Sequence, residues 1–126
     1  MNYQKLNKID TIIFQDSLII NKNDKYISYL NEWLRKDNQN FKTKLLFRKS
    51  INGDSFEEFH KLCDYQGTTL VLIESTEDFI IGGYTTHNWD TSGNWYNDEK
   101  CFLFSLTKGQ IFPKIKNSTL SIRGYK

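Results

Sequence analysis

The feature that most constrains the fold is a change of hydrophobic period near Gly67. Before it, apolar residues recur at helical spacing. After it they form short, nearly continuous β segments. Residues 21 to 36, NKNDKYISYLNEWLRK, set Tyr26, Ile27, Leu30, Trp33 and Leu34 on one helical face. Asn21 or Asn23 supplies an N-cap, and Arg35 and Lys36 suit the carbonyl-rich last turn, so a helix is predicted over 22 to 36. Ser55-Phe56-Glu57-Glu58 is a capping box, in which the Ser55 hydroxyl accepts from the Glu58 amide and Glu58 reaches back. It opens a second predicted helix over 55 to 63 that buries Phe56, Phe59 and Leu62 or Cys63. Between the helices, residues 43 to 50 read as a strand and Asn52-Gly53-Asp54 as a turn.

Residues 68 to 75, TTLVLIES, are too apolar for a strand with one wet face and belong at the centre of a two-layer arrangement. Thr76 to Asp78 connects them to 79 to 86, FIIGGYTT, where Gly82-Gly83 marks a bulge or a close backbone approach. A polar, aromatic loop is predicted from His87 to Lys100. Residues 101 to 106 resume a buried strand, and 111 to 115 carry Pro113, which belongs on a sheet edge. Helices first and antiparallel strands afterwards imply an α+β chain with a sheet-on-sheet core.

A length of 126 residues suits one domain. Leu, Ile, Val and Phe together number 35, enough for a core that needs neither metal nor disulfide. The longest apolar run, Leu70 to Ile73, is far below the ~18 residues of a membrane-spanning helix. The opening MNYQKLNKID has no apolar signal core, so a cytoplasmic location is expected, with Cys63 and Cys101 as free thiols. Charge is segregated: residues 1 to 49 hold 10 basic and 5 acidic side chains, 50 to 99 hold 1 and 10, and 100 to 126 hold 6 and 0. Such blocks either steer a partner or attract one another within the fold.

His60, Cys63, His87 and Cys101 are the soft metal ligands of the chain, but their spacing matches no zinc motif, so no metal is expected. Cys63, three residues after His60, is the candidate redox thiol; its apolar surroundings favour packing as a small hydrophobe. In the loop, Trp89, Trp95 and Tyr96 stand near Asp90 and Asp98, a composition suited to recognition, with Trp89 expected to fold inward. Gly82-Gly83 precedes no helix and makes no phosphate cradle. No Ser-His-Asp set, carboxylate pair or H-E-x-x-H pattern is present, so no catalytic function and no cofactor are expected.

KLLFRKS (44–50), GDSF (53–56), Phe59-His60, Cys63-Asp64, GTTL (67–70), GGYT (82–85), Trp89, Gly93 and FLFSL (102–106) together resemble the TLDc domain in order and spacing, over about residues 17 to 124. The resemblance implies a β-sandwich of two antiparallel sheets flanked by helices, a link to resistance to oxidative stress, binding of a vacuolar-type proton ATPase subunit, and no established catalytic mechanism. It divides the chain into an N-terminal extension, 1 to 16, and a TLDc-like domain, 17 to 126. It also implies further C-terminal strands, without which an apolar edge is left unpaired.

The function expected is a non-catalytic interaction module. Its partner surface is drawn from the acidic centre and the aromatic loop, with Asp54, Glu57, Glu58, Asp90, Trp95 and Tyr96 as candidates. One alternative is nucleic-acid or anionic-surface binding through Arg35, Lys36, Lys42, Lys44, Arg48, Lys49 and the basic tail. Their alternation with an apolar strand face fits outward-pointing charges better, and nucleic acid is not the expected partner. The other alternative is a redox role of Cys63.

Overall fold

The structure, a computed structural model, describes residues 2–8, 14–21, 23–38, 40–118 and 120–124, with backbone alone for 3–8. In chain order the elements are β1 (Asn2–Lys8), α1 (Asp24–Arg35), β2 (Phe41–Arg48), α2 (Lys49–Asn52), α3 (Phe56–Cys63), β3 (Thr69–Glu74), β4 (Ile80–Thr85), β5 (Trp95–Tyr96), β6 (Phe102–Ser105), β7 (Gln110–Pro113) and β8 (Ile122–Arg123). Among the described residues, six strands form one antiparallel sheet in the order β2-β1-β3-β4-β6-β7, and β5 pairs with β8 in a two-stranded ribbon. The class is α+β, as predicted. The second sheet, two residues per strand, is a ribbon rather than a full layer.

α1 and α3 start where capping chemistry places them. The Asn23 side chain accepts from the amides of Lys25 and Tyr26, and the Ser55 hydroxyl accepts from the Glu58 amide at 3.1 Å. α1 buries Leu30, Trp33 and Leu34 against one face of the main sheet, formed by Leu70, Leu72, Ile80, Tyr84, Phe102 and Phe104. The opposite face carries Val71, which packs with Phe47, Phe59, Leu62, Cys63 and Trp89 in a second, smaller cluster.

β2 serves both clusters because of a bulge. Tyr3 opposes Phe47 and Gln4 opposes Leu45, which leaves Leu46 as the extra residue. One inserted residue reverses the alternation, so Phe41 enters the α1 side and Phe47 the α3 side, although both are odd-numbered. Gly82 is a close approach and not a bulge, since the pairing of β4 runs on without a shift. A Cβ there would fall 2.3 Å from the Phe104 ring and 2.3 Å from the Val71 carbonyl oxygen.

Several boundaries differ from the sequence expectations. Residues 2–8 of the expected N-terminal extension form β1, between β2 and β3 in the interior of the main sheet. Its sequence, NYQKLNK, lacks the apolar run that marks a central strand. Residues 9–13 of that extension, Lys22 of the first predicted helix, and Tyr125 and Lys126 of the basic tail lie outside the described residues. The strand predicted at 43 to 50 begins at Phe41 and ends at Arg48, where α2 starts. The loop from 87 to 100 contains β5. Phe56, expected in the core, is 77% exposed; packing of α3 begins one turn later, where the Phe59 ring meets Phe47 at 5.6 Å and Trp89 at 6.2 Å. Pro113 ends β7, an edge strand, as expected.

Candidate functional site

The turn into α3 and the adjoining sheet face enclose a groove of about 610 Å³. Its floor is apolar, with Phe47, Phe59, Val71 and Trp89, and its rim carries Lys49, Asp54, Glu74 and Arg123. Phe56 stands at its margin. The position of Phe56 follows from the cap: Ser55 fixes the first turn of α3, and the first turn projects the ring outward. Trp89 is held by a hydrogen bond from its indole Nε1 to the Thr69 hydroxyl at 3.0 Å, so the floor is anchored to β3.

Of the predicted partner-surface residues, Asp54 lines this groove and Glu57 is exposed on the first turn of α3. Glu58, on the same turn, lies 4.0 Å from Lys61, and both acids suit the positive end of the helix. Trp95 is half exposed, and the Arg123 guanidinium stands 5.5 Å over its ring. Arg123 links this tryptophan to the groove rim.

Asp90 and Tyr96 are placed differently, inside the loop. The Tyr96 hydroxyl donates to Asp90 at 2.5 Å, the Ser92 amide and hydroxyl donate to its other oxygen, and His87 stacks on Tyr96 with centroids 4.0 Å apart. The Tyr96 bond, followed by those from Ser92, holds the Asp90 carboxyl below its ordinary range. Gly124 packs so closely that a Cβ would lie 1.9 Å from Asp90 Oδ1. These contacts set the shape of the loop.

Asp98 does the same at the other end. It accepts from the Thr85 hydroxyl at 2.6 Å, the Thr86 amide at 2.7 Å, the Thr86 hydroxyl at 2.8 Å and the Lys100 amide at 3.0 Å. Burial alone would raise this carboxyl, but the four donors outweigh it and the net shift is downward.

Cys63 is fully buried, and burial first, then the Asp64 charge, pushes its thiol up to about 12. At neutral pH it is a packed thiol and not a nucleophile. His60 is bound to Asp64 at 2.7 Å, and among the described residues no group of three or more His, Cys, Asp or Glu side chains could hold a metal ion. The basic set is dispersed into other contacts. Arg48 donates to the Asp16 carbonyl, Lys114 is held by Asn97 and Glu99, and Arg123 covers Trp95. Lys42, Lys44 and Lys49 are exposed.

Sequence reasoning missed Phe56 and Arg123 as groove residues. The capping box located the start of α3 but not the overhang of its first turn, and Arg123 reaches the groove through a pairing of β8 with β5 that spans 28 residues or so in sequence, beyond any local pattern. No described helix is long and apolar enough to cross a membrane.

Three relatives and one family model bear on identity. The chain is 33% identical over 89 residues to the MTOR-associated protein MEAK7 of Gallus gallus, covering 71% of this chain and 18% of that protein. It is 32% identical over 73 residues to the protein of the same name in Danio rerio, covering 58% of this chain and 15% of that one, and 31% identical over 68 residues to TBC1 domain family member 24 of Xenopus laevis, covering 49% and 12%. The chain therefore spans less than a fifth of the length of these relatives. The family model described as the TLDc domain matches residues 13–122, which takes in the three helices, strands β2 to β7 and the groove residues other than Arg123. The chain belongs to the TLDc domain family.

Proposed function

We propose that this TLDc domain is a non-catalytic protein-interaction module that docks a partner in the groove beside α3. The observation that carries the reading is the 77% exposed Phe56, an aromatic side chain at the margin of an apolar floor with both signs of charge around it. A large ring beside a desolvated floor is the usual form of an interface anchor, and a mixed-charge rim adds orientation. The family resemblance makes a subunit of a vacuolar-type proton ATPase the first partner to test, with resistance to oxidative stress as the cellular consequence. The name of the MEAK7 relatives adds an mTOR-containing assembly as the second.

The test is capture from lysate with quantification of proton ATPase subunits and mTOR, comparing the wild-type chain with Phe56→Ala, Asp54→Ala and the distant control Lys42→Ala. Phe56→Ala should lower capture by roughly tenfold or more, the loss typical of an anchor residue. Asp54→Ala should lower it less. Capture that is equal for all four proteins would place the binding surface elsewhere, and DNA binding that falls with salt in place of ATPase or mTOR capture would favour the basic-surface alternative.

A further inference from the structure

Asn52 is the asparagine of this chain that precedes a glycine, and the turn it belongs to both exposes the pair and restrains it. An Asn-Gly pair is prone to spontaneous loss of the side-chain amide, because glycine has no Cβ to shield its backbone nitrogen from the neighbouring carboxamide. The fold keeps the pair because Gly53 ends α2 at φ +84°, a conformation that glycine adopts without strain. Gly53 is exposed, and nothing lies within 4 Å of where a Cβ would stand, so water reaches it.

Both reacting groups are nonetheless engaged. The Asn52 carboxamide oxygen accepts from the Arg48 amide at 2.8 Å, and the Gly53 amide donates to the Lys49 carbonyl at 3.0 Å. The first bond satisfies the amide that opens α2, and the second spans its single turn. Ring closure requires the Gly53 nitrogen to leave Lys49 and approach the Asn52 Cγ, with a rotation of the carboxamide that gives up Arg48. α2 must therefore open first. It buries no side chain and contributes to neither hydrophobic cluster, so unwinding it costs these hydrogen bonds and leaves the core intact.

We propose that Asn52 is a modification site, deamidated without an enzyme at a rate set by local opening of α2. The Gly53 nitrogen attacks the Asn52 Cγ. The bond from Cγ to the side-chain nitrogen breaks, ammonia leaves with the proton given up by the Gly53 amide, and a five-membered succinimide remains. Water then opens the ring at one carbonyl or the other, giving aspartate or isoaspartate. Aspartate keeps an acceptor for the Arg48 amide. Isoaspartate routes the main chain through Cβ and Cγ, and the added methylene displaces the turn that leads to the Ser55 cap of α3. Either product adds a negative charge beside Asp54, Glu57 and Glu58.

The test follows isoaspartate in the peptide containing residue 52, by mass spectrometry and by enzymatic methylation of its carboxylate, for the folded full chain and for the same chain in denaturant. The folded rate should be measurable and roughly ten- to hundredfold slower than the denatured one, as local opening of one turn implies. Ser50→Gly, at an exposed position inside α2, should raise the folded rate roughly two- to threefold and leave the denatured rate unchanged. Ile80→Val removes a buried methyl group from the α1 core and should leave both rates unchanged. Equal rates in the two states would overturn the proposal. So would no isoaspartate in the folded chain once the denatured chain has been converted, a folded rate raised as much by Ile80→Val as by Ser50→Gly, or a signal that persists in Asn52→Gln. These readouts are independent of partner capture, so failure of this proposal and failure of the docking reading are distinguished.

Discussion

At the residue scale, two side chains show how burial and hydrogen bonding divide the chemistry. Asp98 gathers four donors from β4, the turn after it and Lys100, which is why its carboxyl stays ionised while buried. Asp98→Asn turns a donor toward donors and should cost about 2 kcal/mol at neutral pH, read from denaturant midpoints. Because the folded carboxyl titrates below its unfolded value, its contribution is fully present above about pH 5 and is lost as pH falls through the folded value. The gap between wild type and Asp98→Asn should therefore close at the acid end, and a gap that widens there would contradict the assignment. Cys63 sits at the other extreme, with its thiol pushed up to about 12 and no exposure. An alkylating reagent should modify half-buried Cys101 before Cys63, and Cys63 only in denaturant. Native-state labelling of Cys63 ahead of Cys101 would restore the redox alternative.

At the element scale, starts and ends follow local chemistry while positions in the sheet do not. The Ser55 cap was legible because a hydroxyl, a free amide three residues on and an apolar stripe occur together in six or seven letters. Ser55→Ala should cost ~1 kcal/mol in thermal or denaturant unfolding. The paired glycines of β4 were legible as a bulge or a close approach, but which of the two, and which glycine is crowded, was not. Gly82 faces the α1 core under the Phe104 ring, whereas Gly83 faces the other side of the sheet, where a Cβ would meet Leu103 Cδ2 at 3.2 Å. Gly82→Ala should destabilise by about 1–3 kcal/mol and Gly83→Ala by far less. Equal costs would mean that the two faces are packed alike. β1 escaped notice for the converse reason: Asn2–Lys8 is held in place by neighbours from residues 41 to 48 and 69 to 72, so its pairing is a tertiary fact with little local signature.

At the scale of the whole molecule, the sheet has one face sealed by α1 and another divided, among the described residues, between the α3 groove and an exposed apolar surface. The α+β class and the run of antiparallel strands were readable from the change of period at Gly67. The division of the second face was not, because it depends on a bulge at Leu46, on the short pairing of β5 with β8, and on where the first turn of α3 ends up. Of the partner-surface candidates, Asp54 and Glu57 came to the α3 side, Trp95 reached its rim through Arg123, and Asp90 with Tyr96 turned inward to shape their own loop. The central claim is that the α3 groove binds a protein partner with Phe56 as its anchor. The most direct measurement is a titration of the purified vacuolar-type proton ATPase against immobilised wild-type and Phe56→Ala chains of matched circular dichroism. The account predicts saturable binding by the wild type and a dissociation constant at least roughly tenfold weaker for Phe56→Ala; equal affinities for the two proteins would contradict it.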